Sequence, residues 1–344
     1  MASDASQPSS VHLVASDVPF RRRLPATPVS AILLLVVRAV NRPATQRAGS
    51  RYRSGIVSPG GDAHPWPIKP FDRQHPVRGL FGDPRIGDGG GKSFHFGVDV
   101  SALDGTAVYA VKGGRVSIDG QNITVIEVEG QREHGYWHVV PAVADGARVR
   151  KGALLGHIAK TWGHVHLAER RGDAYWNPLR PGVMTPYEDY GEPVISRILC
   201  SRPLDEIYGR IDLIVEAFDR PPISARQTPW HGMPVTPALV RWRLVRNAHA
   251  YVPWRISSDF RRSFVPKIAG KPASDVHFGN VYAPGTRTNK PNKPGLFRFW
   301  VARGFDTRPF PDGDYRLDVE AADIRGNASR GHLVLDLVNQ ARDV

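Results

Sequence analysis

The chain of 344 residues is long enough for two domains of ordinary size, and 41% of its residues are hydrophobic, which is typical of proteins that form buried cores. Its single cysteine, Cys200, excludes an internal disulfide, and no apolar run approaches the roughly 20 residues of a membrane-spanning helix. The net charge of +13 favours anionic partners such as nucleic acid, anionic lipid or an anionic polymer, but no nucleic-acid-binding motif is present.

Residues 1–60 predict a basic leader. They contain eight Arg, no Lys and two Asp, which gives a net charge of 8 − 2 = +6. The cluster Arg21-Arg22-Arg23 precedes the apolar run 29–37, and a positive cluster before a short apolar run is typical of a secretory signal. Arg38 ends this run early, and no small-x-small cleavage motif follows it. We predict a leader with a signal segment and a linker, and therefore export.

From residue 64 to residue 190 the sequence predicts β-structure. Short apolar runs are separated by Gly-rich turns, and no segment has sustained helical periodicity. Asp119-Gly120 is a strong hairpin signal, and residues 136–140 predict one strand. We predict an all-β domain of small antiparallel sheets.

The spacing of several His and Asp residues in this region predicts a metal site. His164 and His166 are two residues apart on a predicted strand, so their side chains share one face. His95 and Asp99 would be roughly 13 Å apart in a straight strand, too far to bind one ion. Neighbouring β-branched residues disfavour a helix, so we predict a bend around Gly97 that brings this imidazole and carboxylate together. Three N and O ligands with an open fourth position are typical of a catalytic zinc.

Five side chains of this region follow one another in a characteristic order. They are His95, Asp99, His138, His164 and His166. Their order and spacing resemble the sequence signatures of the lysostaphin/LytM-type zinc metalloendopeptidases, the peptidoglycan hydrolases of bacterial cell walls. The resemblance covers about residues 64–185. It implies one zinc ion bound by His95, Asp99 and His166, with His138 and His164 serving catalysis. The segment before His164 is bulkier than in this family, so Trp162 is expected to affect substrate choice.

Residues 204–340 predict a second β-domain. Tyr315, Leu317 and Val319 alternate with charged residues, as expected for a strand with one buried face. Similar strands and intervening turns predict an immunoglobulin/fibronectin-like β-sandwich. It contains no catalytic constellation, so we expect a binding, spacing or docking role.

The sequence and the resemblance together predict a secreted or cell-wall-associated bacterial zinc endopeptidase that hydrolyses peptide bonds in peptidoglycan. The expected partners are peptidoglycan peptides and an anionic cell-wall polymer, with neither nucleic acid nor a transmembrane span. One alternative is a non-catalytic cell-wall-binding or amidase-activating module on the same scaffold, and another is a protease that acts on proteins. Two points stay open: which bond is cut, and which of His138 and His164 is the base and which stabilises the oxyanion or protonates the leaving amine.

Overall fold

The computed structural model describes residues 37–38, 62–128, 132–266 and 276–340. The predicted leader with its signal segment and linker, residues 1–60, therefore lies outside the described residues, except for two residues of one strand. Within the described part, we find no helix with the length and apolar character needed to cross a membrane.

Nearly all regular structure in the described residues is antiparallel β-strand. The strands up to residue 176 are β1 (Val37–Arg38), β2 (Val77–Gly79), β3 (Pro84–Ile86), β4 (Lys92–Phe94), β5 (Gly97–Ser101), β6 (Ala107–Tyr109), β7 (Gly114–Asp119), β8 (Asn122–Ile126), β9 (Arg132–Trp137), β10 (Val139–Pro141), β11 (Arg148–Val149), β12 (Leu154–Ile158), β13 (His164–Arg171) and β14 (Ala174–Trp176). The later strands are β15 (Val194–Cys200), β16 (Arg210–Phe218), β17 (Leu239–Arg246), β18 (His249–Asp259), β19 (Ser263–Phe264), β20 (Arg298–Asp306), β21 (Gly313–Ala322) and β22 (Ala328–Leu337). A 3₁₀ turn at Thr228–Trp230 and one short helix, α1 (Phe278–Val281), complete the elements.

Strand β13 lies inside the largest sheet. It pairs with β9 on one side and with β5 on the other, and β5 pairs in turn with β2. Strands β10, β12 and β6 form a separate three-stranded sheet. Further along the chain, one four-stranded sheet has the order β1-β15-β16-β20 and a second has the order β18-β17-β21-β22. The all-β class predicted from the sequence is confirmed.

Two clusters of buried apolar side chains form the cores. The first fills the space around β5, β9 and β13 and includes Val98, Tyr136 and Leu167. The second joins the two four-stranded sheets, as in a β-sandwich, through residues such as Leu213 and Leu317 on their facing sides. The predicted domain boundaries at 64–190 and 204–340 stay a prediction.

The turns and breaks show where local sequence determined the fold. The predicted hairpin joins β7 to β8, and Gly120 adopts a φ of +58° in its two-residue turn, a conformation that glycine adopts without steric cost. The single strand predicted over residues 136–140 is wrong. His138 has a φ of +68°, so β9 ends at Trp137 and the chain continues as β10 in a different sheet.

Candidate metal centre

Strand β13 positions two of the candidate site residues. His164 and His166 lie two residues apart on it, so both side chains project from one face. His166 is directly opposite Asp99 on β5 and opposite Trp137 on β9. Since opposed residues of antiparallel strands have Cβ atoms about 5 Å apart, this register alone brings the Asp99 carboxylate next to the His166 imidazole.

His95 reaches the same point from a break between strands. It follows β4 and precedes β5, which belong to different sheets, so the interruption predicted near Gly97 is present. The ring nitrogen Nδ1 donates to the carbonyl oxygen of Leu80 at 2.8 Å. Because a carbonyl can only accept, Nδ1 carries the proton, and Nε2 keeps its lone pair in the neutral ring. This Nε2 lies 2.9 Å from Asp99 Oδ1 and 2.8 Å from His166 Nδ1.

These three residues form a compact set of candidate metal ligands. The ligand atoms of His95, Asp99 and His166 all lie within 4.8 Å of one another, and all three residues are buried. Burial, together with the nearby Arg85 guanidinium, lowers the pKa of His95 to about 3, and burial also lowers the pKa of His166. Burial alone would raise the pKa of Asp99, but the neighbouring imidazoles hold it well below its usual range. Two neutral imidazoles and one carboxylate are the donor set of many catalytic zinc sites.

Neighbouring groups fix the orientation of these donors. Arg85 Nη2 donates to Asp99 Oδ2 at 2.8 Å, which leaves Oδ1 directed at the two imidazoles. The His166 ring stacks on the Trp137 indole, with centroids 4.4 Å apart and an interplanar angle of 19°. Its Nε2 has no hydrogen-bond partner among the described atoms, so the indole stacking supports this ring in addition to the contacts of its Nδ1 with His95 and Asp99. Such supporting contacts commonly tune metal affinity.

His138 and His164 lie beside the three candidate ligands. Their rings are 4.7 Å apart. His164 Nδ1 donates to the carbonyl oxygen of Trp162 at 2.8 Å, and its Nε2 lies 3.4 Å from Asp99 Oδ1. His138 is half-buried, and burial, with the nearby His164 ring, lowers its pKa to about 3. The Trp162 indole stacks on His138 with a centroid distance of 3.6 Å and an angle of 14°.

All five predicted side chains line one cleft of about 800 Å³. Other residues of its lining were not predicted from the sequence, among them Arg78, Arg85 and Trp230. Trp230 lies on the 3₁₀ turn, more than sixty residues beyond His166, and no local pattern linked it to the site. Trp162, which the sequence analysis singled out, lines the cleft and packs directly on a candidate catalytic imidazole.

The described residues also bring together three buried carboxylates away from this cleft. They belong to Asp189, Asp219 and Asp323 and lie within 4.8 Å of one another. The group contains no imidazole, so it has no counterpart in the sequence motifs.

Comparison with known proteins agrees with the site geometry. The family model of Peptidase family M23 matches residues 93–178, a quarter of the chain that contains all five predicted side chains. The resemblance to lysostaphin/LytM-type peptidases that the sequence predicted is confirmed. No curated protein matches the chain.

Solved structures of similar proteins include three that illustrate the extent of the likeness. The catalytic domain of lysostaphin from Staphylococcus simulans is 27% identical over 26% of this chain and 75% of its own, with a TM-score of 0.24. Csd3 from Helicobacter pylori is 21% identical over 32% of each chain, with a TM-score of 0.26. The antimicrobial peptidase lysostaphin from S. simulans is 13% identical over 83% of this chain and 96% of its own, with a TM-score of 0.29. The chain thus spans about a third of the length of Csd3.

Proposed function

We propose that this protein is a zinc-dependent endopeptidase that hydrolyses peptide bonds in bacterial cell-wall peptidoglycan. The observation that carries the proposal is the convergence of His95 Nε2, Asp99 Oδ1 and His166 Nδ1 in a cleft that also contains two further imidazoles. A scaffold that had lost catalysis would not need all five side chains. We therefore favour the enzyme over the non-catalytic cell-wall-binding or amidase-activating module.

In this proposal His95, Asp99 and His166 would hold the zinc ion. Zinc at such a site polarises a carbonyl group and lowers the pKa of water. The chain fixes its donors in advance, because the Leu80 carbonyl sets the tautomer of His95 and Arg85 orients the Asp99 carboxylate. Little reorganisation is then needed when the ion binds.

His138 and His164 would move the protons of the reaction. His138 lines the cleft beside His164 and is neutral at neutral pH, so one of its ring nitrogens has a lone pair that can accept a proton from a water molecule that attacks the peptide carbonyl. His164 donates from Nδ1 to a backbone carbonyl, so in its neutral form Nε2 can also accept a proton. Once protonated, either ring can stabilise the developing oxyanion or donate to the leaving amine.

The proposed substrate also determines where the protein would act. Peptidoglycan lies outside the cytoplasm, so we propose a secreted or cell-wall-associated location in a bacterium. The net charge of +13 would favour contact with an anionic cell-wall polymer.

The proposal is tested by separating metal binding from turnover. Wild type and the variants His166→Ala and His164→Ala are purified, their zinc content is measured by elemental analysis, and the release of amino groups from purified peptidoglycan is followed. We expect about one zinc per chain in wild type and in His164→Ala, with turnover about 10²–10⁴ lower in this variant. His166→Ala should lose both zinc and activity.

His157→Ala is the matched control, because His157 is exposed on β12 and does not line the cleft. It should keep both zinc and activity. Loss of zinc in His164→Ala with retention in His166→Ala would reverse the assignment. Full activity in both would refute the catalytic proposal, and a wild type that binds zinc but releases no amino groups would favour the non-catalytic alternative.

A further inference from the structure

Arg78 brings a positive charge into the cleft without an ion-pair partner among the described residues. It is the central residue of β2, which pairs with β5 so that Gly79 lies opposite Asp99. Its half-buried guanidinium lines the cleft. Since neighbouring strands are about 5 Å apart, Arg78 lies close to the candidate metal ligands.

The other cations of the cleft have partners within the chain. Arg85 forms ion pairs with Asp99 and Asp83, and Lys290 pairs with Asp88 at 2.5 Å. For Arg78, by contrast, no carboxylate of the described residues lies within ion-pair distance.

Two acidic residues, Asp99 in the cleft and the exposed Asp104 outside its lining, influence Arg78 without forming an ion pair with it. Asp99 directs its oxygens at Arg85 and at the imidazoles, and Asp104 accepts from the backbone N–H groups of Thr161 and Gly163. Burial lowers the pKa of Arg78 to about 10, so the guanidinium stays charged at neutral pH. A partly desolvated charge without a partner is unfavourable, and an anionic ligand would relieve this cost.

Trp230 holds this guanidinium in place. The centre of the guanidinium lies 4.2 Å from the centroid of the indole. The 3₁₀ turn that carries Trp230 is tied to the site, because the side chain of Gln227 accepts from Ser101 Oγ at 2.6 Å and donates to the carbonyl oxygen of Gly163 at 3.3 Å. A guanidinium stacked on an aromatic face keeps its N–H edge free, and that edge matches the two oxygens of a carboxylate.

We propose that Arg78, supported by Trp230, is a subsite for a free carboxylate of the substrate. The inference rests on the proposed function and deepens it: the preferred peptides carry an unamidated carboxylate near the scissile bond. The neighbouring strands β2 and β5 are about 5 Å apart, and an extended peptide rises about 3.3 Å per residue. The recognised carboxylate should therefore lie within about two residues of the scissile bond, on one side or the other.

The experiment compares one substrate in two charge states. Soluble cross-linked peptidoglycan fragments are divided, and the carboxylates of one half are converted to uncharged primary amides. Because hydrogen bonds to charged groups are among the strong ones, we expect wild type to have a kcat/KM about 10–100-fold higher for the carboxylate form. Arg78→Gln should lose this preference because its kcat/KM falls for the carboxylate form, while its kcat/KM for the amide form changes less than about threefold. Arg78→Lys should recover part of the preference, because Lys keeps the charge but not the fork.

Arg202→Gln is the matched control. Arg202 also stacks on an aromatic ring, that of Tyr208 at 3.9 Å, but it does not line the cleft. This variant should keep the wild-type preference. A preference that survives in Arg78→Gln, or an equal fall on both substrates, would overturn the subsite.

A binding measurement keeps this test separate from the proposed function. A peptidoglycan tetrapeptide with free carboxylates and its fully amidated form are titrated into wild type and Arg78→Gln by calorimetry. Tighter binding of the acid form by wild type, lost in Arg78→Gln, supports the subsite even if wild type cleaves neither substrate. Equal affinities of wild type for the two forms would refute it, whatever the activity.

Discussion

Replacement of Asp219 by Asn should stabilise the protein at neutral pH. Asp219 follows β16, is 3% exposed, and lies within 4.8 Å of the carboxylates of Asp189 and Asp323. Its Oδ1 accepts one backbone N–H, that of Arg220 at 2.8 Å. Burial, strengthened by the neighbouring acidic groups, raises the pKa of Asp219 to about 8.

The size of the effect follows from proton linkage. In the unfolded chain an Asp titrates near pH 4, so between about pH 4 and pH 8 the folded chain holds a proton that the unfolded chain has released. Folding stability therefore falls as pH rises through this window, by up to about 1.4 kcal/mol per pH unit, and stops falling above about pH 8. Over the three pH units from about pH 4 to pH 7, the loss of folding free energy reaches about 4 kcal/mol if the site is rigid. Local relaxation reduces this loss to about 2–4 kcal/mol.

Asn removes this cost without removing the contact. Its amide oxygen can accept the same backbone N–H, and its NH₂ group can donate to the acidic neighbours. Melting temperatures measured by calorimetry at pH 4.5 and pH 7 would reveal the gain. With an unfolding entropy of about 2.1 cal/mol/K for each of the roughly 270 described residues, the expected rise at pH 7 is about 3–7 °C, with little change at pH 4.5.

Asp205→Asn serves as the control for this prediction, because Asp205 is exposed and the substitution removes the same formal charge. It should shift the melting temperature by about 1 °C or less at either pH. An Asp219→Asn variant that melts lower than wild type at pH 7 would show that the carboxylate is ionised and compensated there, and the reasoning would be wrong.

Three further substitutions probe the surroundings of the candidate site. Glu169→Gln removes one partner of a buried pair, whose oxygens lie 2.6 and 2.7 Å from Arg180, and should destabilise the fold by about 3 kcal/mol; an unchanged melting temperature would contradict this. Trp162→Leu removes the ring stacked on His138 and should lower kcat about 2–10-fold at constant zinc content, whereas loss of zinc would assign it another role. Gly97→Ala would force a methyl group against a carbonyl oxygen of β13, so zinc affinity measured by chelator competition should fall at least about tenfold; wild-type affinity would show that the strands can separate without cost.

Local patterns were sufficient to predict the β-class and the shared strand face of His164 and His166. The spacing of His164 and His166 specifies one face of a strand whatever the rest of the chain does. The backbone at His138 was not predictable in this way. Alternating apolar residues on both sides of it indicated one strand, and only the tertiary structure imposes a left-handed conformation on this histidine.

The cleft shows a second limit of local reasoning. Trp230 belongs to a short 3₁₀ segment without apolar periodicity, and Gln227 directly precedes it. No local pattern associates either residue with Arg78 and Ser101, which lie more than 120 positions earlier in the chain. Their contacts with Arg78 and Ser101 depend on how distant parts of the chain pack, which periodicity in a short window does not report.

The C-terminal segment also holds the loop that presents His95. The backbone of His95 bonds to that of Gly82 and Asp83 on both its N–H and its carbonyl side. Asp83 Oδ1 in turn accepts from the backbone N–H of Thr236 at 2.7 Å, and Tyr282 donates its hydroxyl to the Gly82 carbonyl at 2.8 Å. Because the carboxylate and the hydroxyl are both buried, these bonds are shielded from water and costly to leave unmade. Residues beyond 204 therefore position a candidate metal ligand, which is a more direct contribution to the site than the binding, spacing or docking role expected from the sequence.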